Sequence, residues 1–180
     1  MRAVLDSRLL FFVFLFSLIG PRINLASGLE TASEFDIQRY LGLWFQIVHI
    51  PNKFQASCVS DSTAFYRLNA NGELQVTNEC RLDSGKLKSV KGIARMAKFY
   101  NEPSKLEVSF APKWMTGLPF LWGDYWIFDV DNEYQTALVG SPNYKYLWVL
   151  SRTKDVEKTK LLALTALAEQ LGFNIALLEE

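Results

Sequence analysis

The chain is poor in the residues that most catalytic and metal chemistry needs, with one histidine, two cysteines and three methionines in 180 residues. A zinc site of the Cys/His type takes about four ligands, which this set does not supply. No charge is in excess either, because 19 Lys and Arg balance 19 Asp and Glu. A basic surplus is what phosphate backbones select, so nucleic acid is not an expected partner. The longest apolar run, LLFFVFLFSLI from Leu9 to Ile19, is 11 residues, about half of the ~20 that a bilayer-spanning helix needs. Repeats, low-complexity segments and Asn-x-Ser/Thr sequons are absent as well. What the chain has in quantity is aromatic residues: 13 Phe, 7 Tyr and 5 Trp. That is more than a solid core of this size requires and directs attention to an apolar cavity.

The run from Leu9 to Ile19 follows Arg2 and Arg8 and precedes the small residues Ala26, Ser27 and Gly28. This is the layout of a cleaved export signal over residues 1–27, the alternative being a retained anchor. The remaining stretch, 28–180, is expected to be one domain with 16 basic and 18 acidic residues. Both cysteines, Cys58 and Cys80, lie in that stretch, and in an oxidising compartment pairing is their default. His49 sits alone in an apolar run and reads as a structural or surface residue.

Beyond Ser33 hydrophobicity alternates with period two, and turn signals recur at short intervals, the rhythm of an antiparallel barrel or sandwich. Eight strands are expected: Trp44–Ile50, Thr63–Leu68, Leu74–Cys80, Lys88–Ala97, Leu106–Phe110, Asp124–Val130, Tyr134–Val139 and Tyr146–Ser151. Asn69-Ala70-Asn71-Gly72 marks a hairpin between the second and third, since Asn and Gly accept positive φ. The period then changes to three and four over Asp155–Leu171, one amphipathic helix stopped by Gly172. A last short strand is expected over Asn174–Leu178. The fold class is therefore all-β, an eight-stranded up-and-down antiparallel β-barrel with one C-terminal α-helix packed outside. Eight strands is the size that holds one small ligand.

Four blocks carry a family resemblance. Gly42-Leu43-Trp44 opens the first strand and Ser151-Arg152-Thr153 ends the eighth, with Trp44 and Arg152 separated by 108 positions. Between them lie Gly123-Asp124-Tyr125-Trp126-Ile127 and the run Tyr146-Leu147-Trp148-Val149-Leu150. Together they resemble the lipocalins, in particular the subgroup of bacterial outer-membrane lipocalin, apolipoprotein D and plant temperature-induced lipocalins. Two departures stand out. Val130-Asp131-Asn132 replaces the usual second block and keeps only its Asp, with Tyr134 following, and no cysteine follows the export signal to take a lipid.

The resemblance implies a carrier of a small hydrophobic ligand such as a fatty acid or lysophospholipid, exported to a periplasm or outer membrane or else secreted, with no enzymatic activity and no cofactor. Gly42, Trp44 and Arg152 are expected to be structural, the guanidinium lying over the indole to close one end of the barrel. Strand direction places the turns at Asn69–Gly72, Asn101–Pro103 and Asp131–Glu133 at that closed end. Cys58 and Cys80 flank the Asn69–Gly72 hairpin near the open end, where a disulfide would join neighbouring strands. A nucleophilic thiol is the rival reading and lacks a nearby base. For the ligand site, side-chain parity and the resemblance point to Trp148, Tyr146, Trp126, Phe128, Trp122 and Phe110. The segment Ala111–Trp122, APKWMTGLPFLW, is too apolar for a solvated connection. It is expected to fold over the mouth as a lid, with membrane contact through Trp114 and Phe120 as the sharper alternative. A barrel enzyme acting on a lipid or carotenoid, and an interaction module built on this loop, remain as further readings; the protein is expected to be a monomer or homodimer.

Overall fold

The computed structural model describes residues 29–180, so the expected export signal lies outside the described residues. A short helix α1 (Ile37–Tyr40) leads into eight strands: β1 (Gly42–His49), β2 (Cys58–Leu68), β3 (Leu74–Leu82), β4 (Leu87–Met96), β5 (Lys105–Ser109), β6 (Gly123–Val130), β7 (Thr136–Gly140) and β8 (Leu147–Ser151). Each pairs antiparallel with the next, and β8 returns to β1, giving a closed barrel. Closure removes the edge strands that would otherwise expose unpaired N–H and C=O groups. A long helix α2 (Lys158–Gln170) follows on the outside.

The local chemistry matches these elements. At the β2–β3 hairpin Gly72 has φ +75° and the Asn69 carboxamide oxygen accepts from the Asn71 and Glu73 backbone N–H groups. Helix α2 ends at Gly172, whose φ of +100° suits a residue without a β-carbon. There Phe173 N–H donates to Ala168 C=O, which satisfies an otherwise open helix carbonyl. The expected strand over Asn174–Leu178 is instead a 3-10 turn, Ile175–Leu177, capped by the Asn174 side chain. Only Glu179 pairs with the barrel, exchanging two backbone hydrogen bonds with His49. The cap bends the backbone before a ladder can form, and β8 already occupies most of the β1 edge.

Two apolar clusters divide the molecule. One fills the barrel from its closed end and includes Tyr40, Trp44, Tyr66, Val76, Tyr125, Ile127, Val139 and Leu150. The other lies between the outer wall and α2 and includes Trp126, Phe128, Leu138, Val149, Leu164, Ala168 and Phe173. Strands β6 to β8 are thus apolar on both faces, since one face lines the interior and the other is covered by the helix.

The closed end is locked by Arg152. Its guanidinium stands 3.8 Å from the centre of the Trp44 ring. It donates to the backbone oxygens of Tyr134, Leu43, Arg39 and Leu41 at 2.8–3.2 Å. Gly42 has φ +99°, and a β-carbon there would approach the Arg152 Nη1 at 3.3 Å, so both conformation and space favour glycine. The Trp44 indole N–H donates to Tyr40 C=O, tying α1 across the end. Cys58 and Cys80 are joined in a disulfide between β2 and β3, with Cα atoms 5.6 Å apart. By loop-closure entropy such a bridge contributes on the order of 3 kcal/mol.

Candidate functional site

Directly opposed residues in an antiparallel pair share a face, so the register identifies the inner wall. Trp148 opposes His49 and Val139, and Val139 opposes Ile127. Leu74, Val76 and Asn78 on β3 oppose Ala94, Gly92 and Val90 on β4. Along this inner face burial changes with depth: Leu74 and Val76 are buried, whereas Asn78 and Val90 are exposed, Val90 at 37%. Inward residues that meet solvent mean an interior open at the end opposite Trp44 and Arg152.

At that open end Tyr146 and Trp148 stack nearly parallel, 5.9 Å apart and 9° between planes, and Phe54 tilts against Tyr146 at 5.8 Å. A chain of amides surrounds them. Gln55, from the connection between β1 and β2, accepts at Oε1 from Trp148 Nε1 and Asn52 Nδ2, both at 2.8 Å. Its Nε2 donates to Gln46 Oε1, and Gln46 Nε2 lies 3.1 Å from His49 Nδ1. Burial pushes the His49 pKa below its ordinary value, against the opposing pull of Glu179, so the ring favours its neutral form. Lys88 reaches from β4 to Phe54 C=O and Ser57 Oγ, placing a cation near the same rim. The assembly offers apolar ring faces and uncharged polar atoms, which suits an amphiphile.

The closed end of the interior is polar at one point. The hydroxyls of Tyr40 and Tyr66 each lie 2.8 Å from that of Tyr125. Burial pushes the Tyr66 pKa up to about 12 and the other two up as well, so all three stay protonated.

The expected site residues separate into three groups. Trp148 and Tyr146 stand together at the open end. Trp126, Phe128 and Trp122 lie on the outer wall: Trp126 and Phe128 belong to the cluster beneath α2, with Phe128 edge-on to Phe173 at 5.4 Å. Trp126 also meets Tyr100 at 5.0 Å. Trp122 lies over the Arg95 guanidinium at 3.6 Å, and Arg95 opposes Glu107 on the outward face. The inward residues of β6 are instead Tyr125 and Ile127. Aromatic parity misleads on this strand because both of its faces are covered. Phe110 forms a third case, half exposed in a groove with Arg67, Gln75, Lys91 and Lys113. It lies so close over Gly92 that a β-carbon there would meet its ring at 2.7 Å.

The Ala111–Trp122 segment also departs from the lid expectation. It folds into two 3-10 turns, Lys113–Met115 and Pro119–Leu121. Lys113 pairs with Glu73 at 3.3 Å and Trp122 rests on Arg95, which ties the segment to the outer wall of β3 to β5. Trp114 and Phe120 project into solvent at 83% and 77% exposure. Sequence reasoning missed Gln46, Asn52, Gln55 and the three tyrosines. Parity would have grouped Tyr66 with Ala64 and Leu68, but nothing in the sequence marks a loop glutamine as part of a site.

A model of the lipocalin-like domain matches residues 35–180, nearly the whole described chain. The chain belongs to the lipocalin family. This lipocalin is 35% identical over 153 residues to temperature-induced lipocalin-1 of Arabidopsis thaliana, covering 84% of the chain and 81% of that protein. It is 33% identical over 152 residues to outer membrane lipoprotein Blc of Escherichia coli, covering 83% of the chain and 80% of that protein. Among solved structures, insecticyanin from the tobacco hornworm Manduca sexta superposes with a TM-score of 0.64 at 16% identity, over 85% of this chain and 83% of that one. At that identity the match speaks for the shared fold alone. Lipocalins are generally binding proteins, and family membership supports a small hydrophobic ligand for this chain.

Proposed function

We propose that this lipocalin is an exported carrier whose barrel takes up one fatty acid or lysophospholipid, with a role in membrane lipid maintenance. The observation that carries the reading is the open interior with Trp148, Tyr146 and the Gln46–Gln55–Asn52 amides gathered at its rim. An acyl chain entering the barrel gains roughly 0.8 kcal/mol per buried methylene. The rim then offers the second amide N–H groups of Gln46 and Gln55 and the Lys88 ammonium to a carboxylate or phosphate head group. The apolar run at Leu9–Ile19 behind Arg2 and Arg8 supports export.

Titration of residues 28–180 with a series of fatty acids and lysophospholipids, followed by tryptophan fluorescence, tests the carrier reading. Saturable quenching at about one ligand per chain is the expected result; no response across the series would remove it.

The exposure of Trp114 and Phe120 favours a second element, contact of this segment with a lipid surface during loading. Large apolar side chains held in water at the surface mark interaction sites more often than solvated loops. The double substitution Trp114→Ser, Phe120→Ser is expected to slow ligand transfer from vesicles several-fold while leaving the dissociation constant within about twofold, a difference of less than 0.5 kcal/mol. Equal effects on transfer rate and retention would exclude membrane contact.

A further inference from the structure

The outer wall of the barrel carries a groove of one charge sign. Tyr66, Val76 and Gly92 oppose one another across β2, β3 and β4, with Tyr66 and Val76 buried. Their neighbours Arg67, Gln75, Thr77 and Lys91 therefore point outward. Arg67 on β2 and Lys91 on β4 stand on either side of β3. The start of the β5–β6 connection lies against these strands and completes a groove of about 430 Å³, to which Phe110 and Lys113 also contribute. Its lining holds the three cations Arg67, Lys91 and Lys113 and no carboxylate.

Two of these cations, Arg67 and Lys91, take part in no ion pair among the described residues. Arg67 Nε donates to Gln75 Oε1 at 3.0 Å, which leaves its two terminal amino groups for an outside acceptor. Lys113 pairs with Glu73 at 3.3 Å, but its side chain is 76% exposed, and an exposed pair of this kind holds weakly. Glu79 is the other carboxylate nearby, two positions beyond Thr77 on the same face of β3, and it does not line the groove. One wall of the groove runs directly into the exposed rings. Trp114 follows Lys113 in the first 3-10 turn of the connection, and Phe120 lies in the second. Cations without ion pairs beside aromatic rings held in water fit the boundary of a bilayer, where Trp settles at head-group level and Lys and Arg meet anionic lipids.

We infer that this groove receives the phosphate of an anionic phospholipid, so that the barrel docks by the outer wall of β2 to β4 on negatively charged membranes, with Trp114 and Phe120 inserted beside it. The inference rests on the membrane-contact reading and adds to it a lipid class and a docking face. Arg67 presents a planar fork that can pair with a phosphate through two parallel N–H groups, and Lys91 supplies a second charge across β3. The contact lies on the outside of the barrel and is separate from the rim that takes the cargo's head group.

The test measures binding of residues 28–180 to vesicles of phosphatidylcholine alone and of phosphatidylcholine mixed with phosphatidylglycerol, read by flotation. One cation near an anionic membrane raises binding about fivefold, so Arg67 and Lys91 together predict about a twentyfold preference for the mixed vesicles. Sodium chloride at about 1 M shortens the screening length to about 3 Å and should abolish that preference. The variant Arg67→Gln, Lys91→Gln should bind both vesicles alike, whereas Trp114→Ser, Phe120→Ser should weaken binding to both and keep the preference. All four side chains are exposed, so both variants should fold, which urea unfolding checks. Equal binding of the unaltered protein to the two vesicles, or a preference that survives in Arg67→Gln, Lys91→Gln, would overturn the inference and leave membrane contact standing. If neither vesicle is bound, the inference and membrane contact fall together, and fatty acid titration still reports separately on the carrier reading.

Discussion

Replacing Arg152 with Ala is expected to cost about 3–5 kcal/mol of stability in urea unfolding, among the largest losses available from a single substitution in this protein. The side chain makes five contacts at one point. It caps the Trp44 ring, and its N–H groups satisfy carbonyls from the lead-in, from α1, from β1 and from the β6–β7 connection. Charge-assisted hydrogen bonds of this kind contribute about 1.5–3 kcal/mol each, and they are not additive because they share one group. Arg152→Lys keeps the charge but has no planar fork, so it should recover less than half of the loss. Ligand binding, at the other end of the barrel, should change little at temperatures where the variant is folded. A loss below about 1 kcal/mol in Arg152→Ala would mean that the end is held by apolar contacts alone.

The second large effect separates two tryptophans of opposite faces. Trp126→Ala should lower stability by about 3–5 kcal/mol, the usual cost of removing a buried Trp side chain, and leave ligand affinity within about twofold. Trp126 lies against Tyr100 and Phe128 on the outer wall and its indole N–H has no partner among the described residues. For that reason Trp126→Phe should be far milder, since it keeps a ring and discards the unsatisfied donor. Trp148→Ala should behave in the opposite sense. It removes the inner ring stacked on Tyr146 and the partner of Gln55 Oε1. Fatty acid affinity should fall tenfold or more, about 1.4 kcal/mol or above, with a smaller loss of stability. Equal binding by the two variants would mean that Trp148 does not line the ligand space.

How much of this was readable beforehand differs from residue to residue. The β5 segment, where Leu106 and Val108 alternate with Lys105 and Glu107, was legible because alternation with period two is the physical signature of a sheet with one face inside. The hairpin at Asn69–Gly72 and the helix stop at Gly172 were legible because positive φ, found at Gly72 and Gly172, selects Gly, and an Asn side chain accepts from the backbone of its own turn, as Asn69 does. The strand expected over Asn174–Leu178 was not, because a short apolar stretch fits a strand or a 3-10 turn equally and a single Asn cap tips the balance. On β6, parity separates Tyr125 and Ile127 from Trp126 and Phe128 without saying which pair faces in, and the larger aromatics were assigned inward.

The sequence by itself determined the all-β barrel, its strand count, its trailing helix and its family, because periodicity, turn chemistry and the Gly42, Trp44 and Arg152 motifs are local properties written in order along the chain. Only the tertiary structure decided which wall of β6 meets the interior, that Gln55 bonds Trp148 across 93 positions, and that Tyr40, Tyr66 and Tyr125 place three hydroxyls together. Those contacts depend on barrel closure, on strand stagger and on where α2 lies. They are relations between distant segments, and such relations leave no local pattern to read.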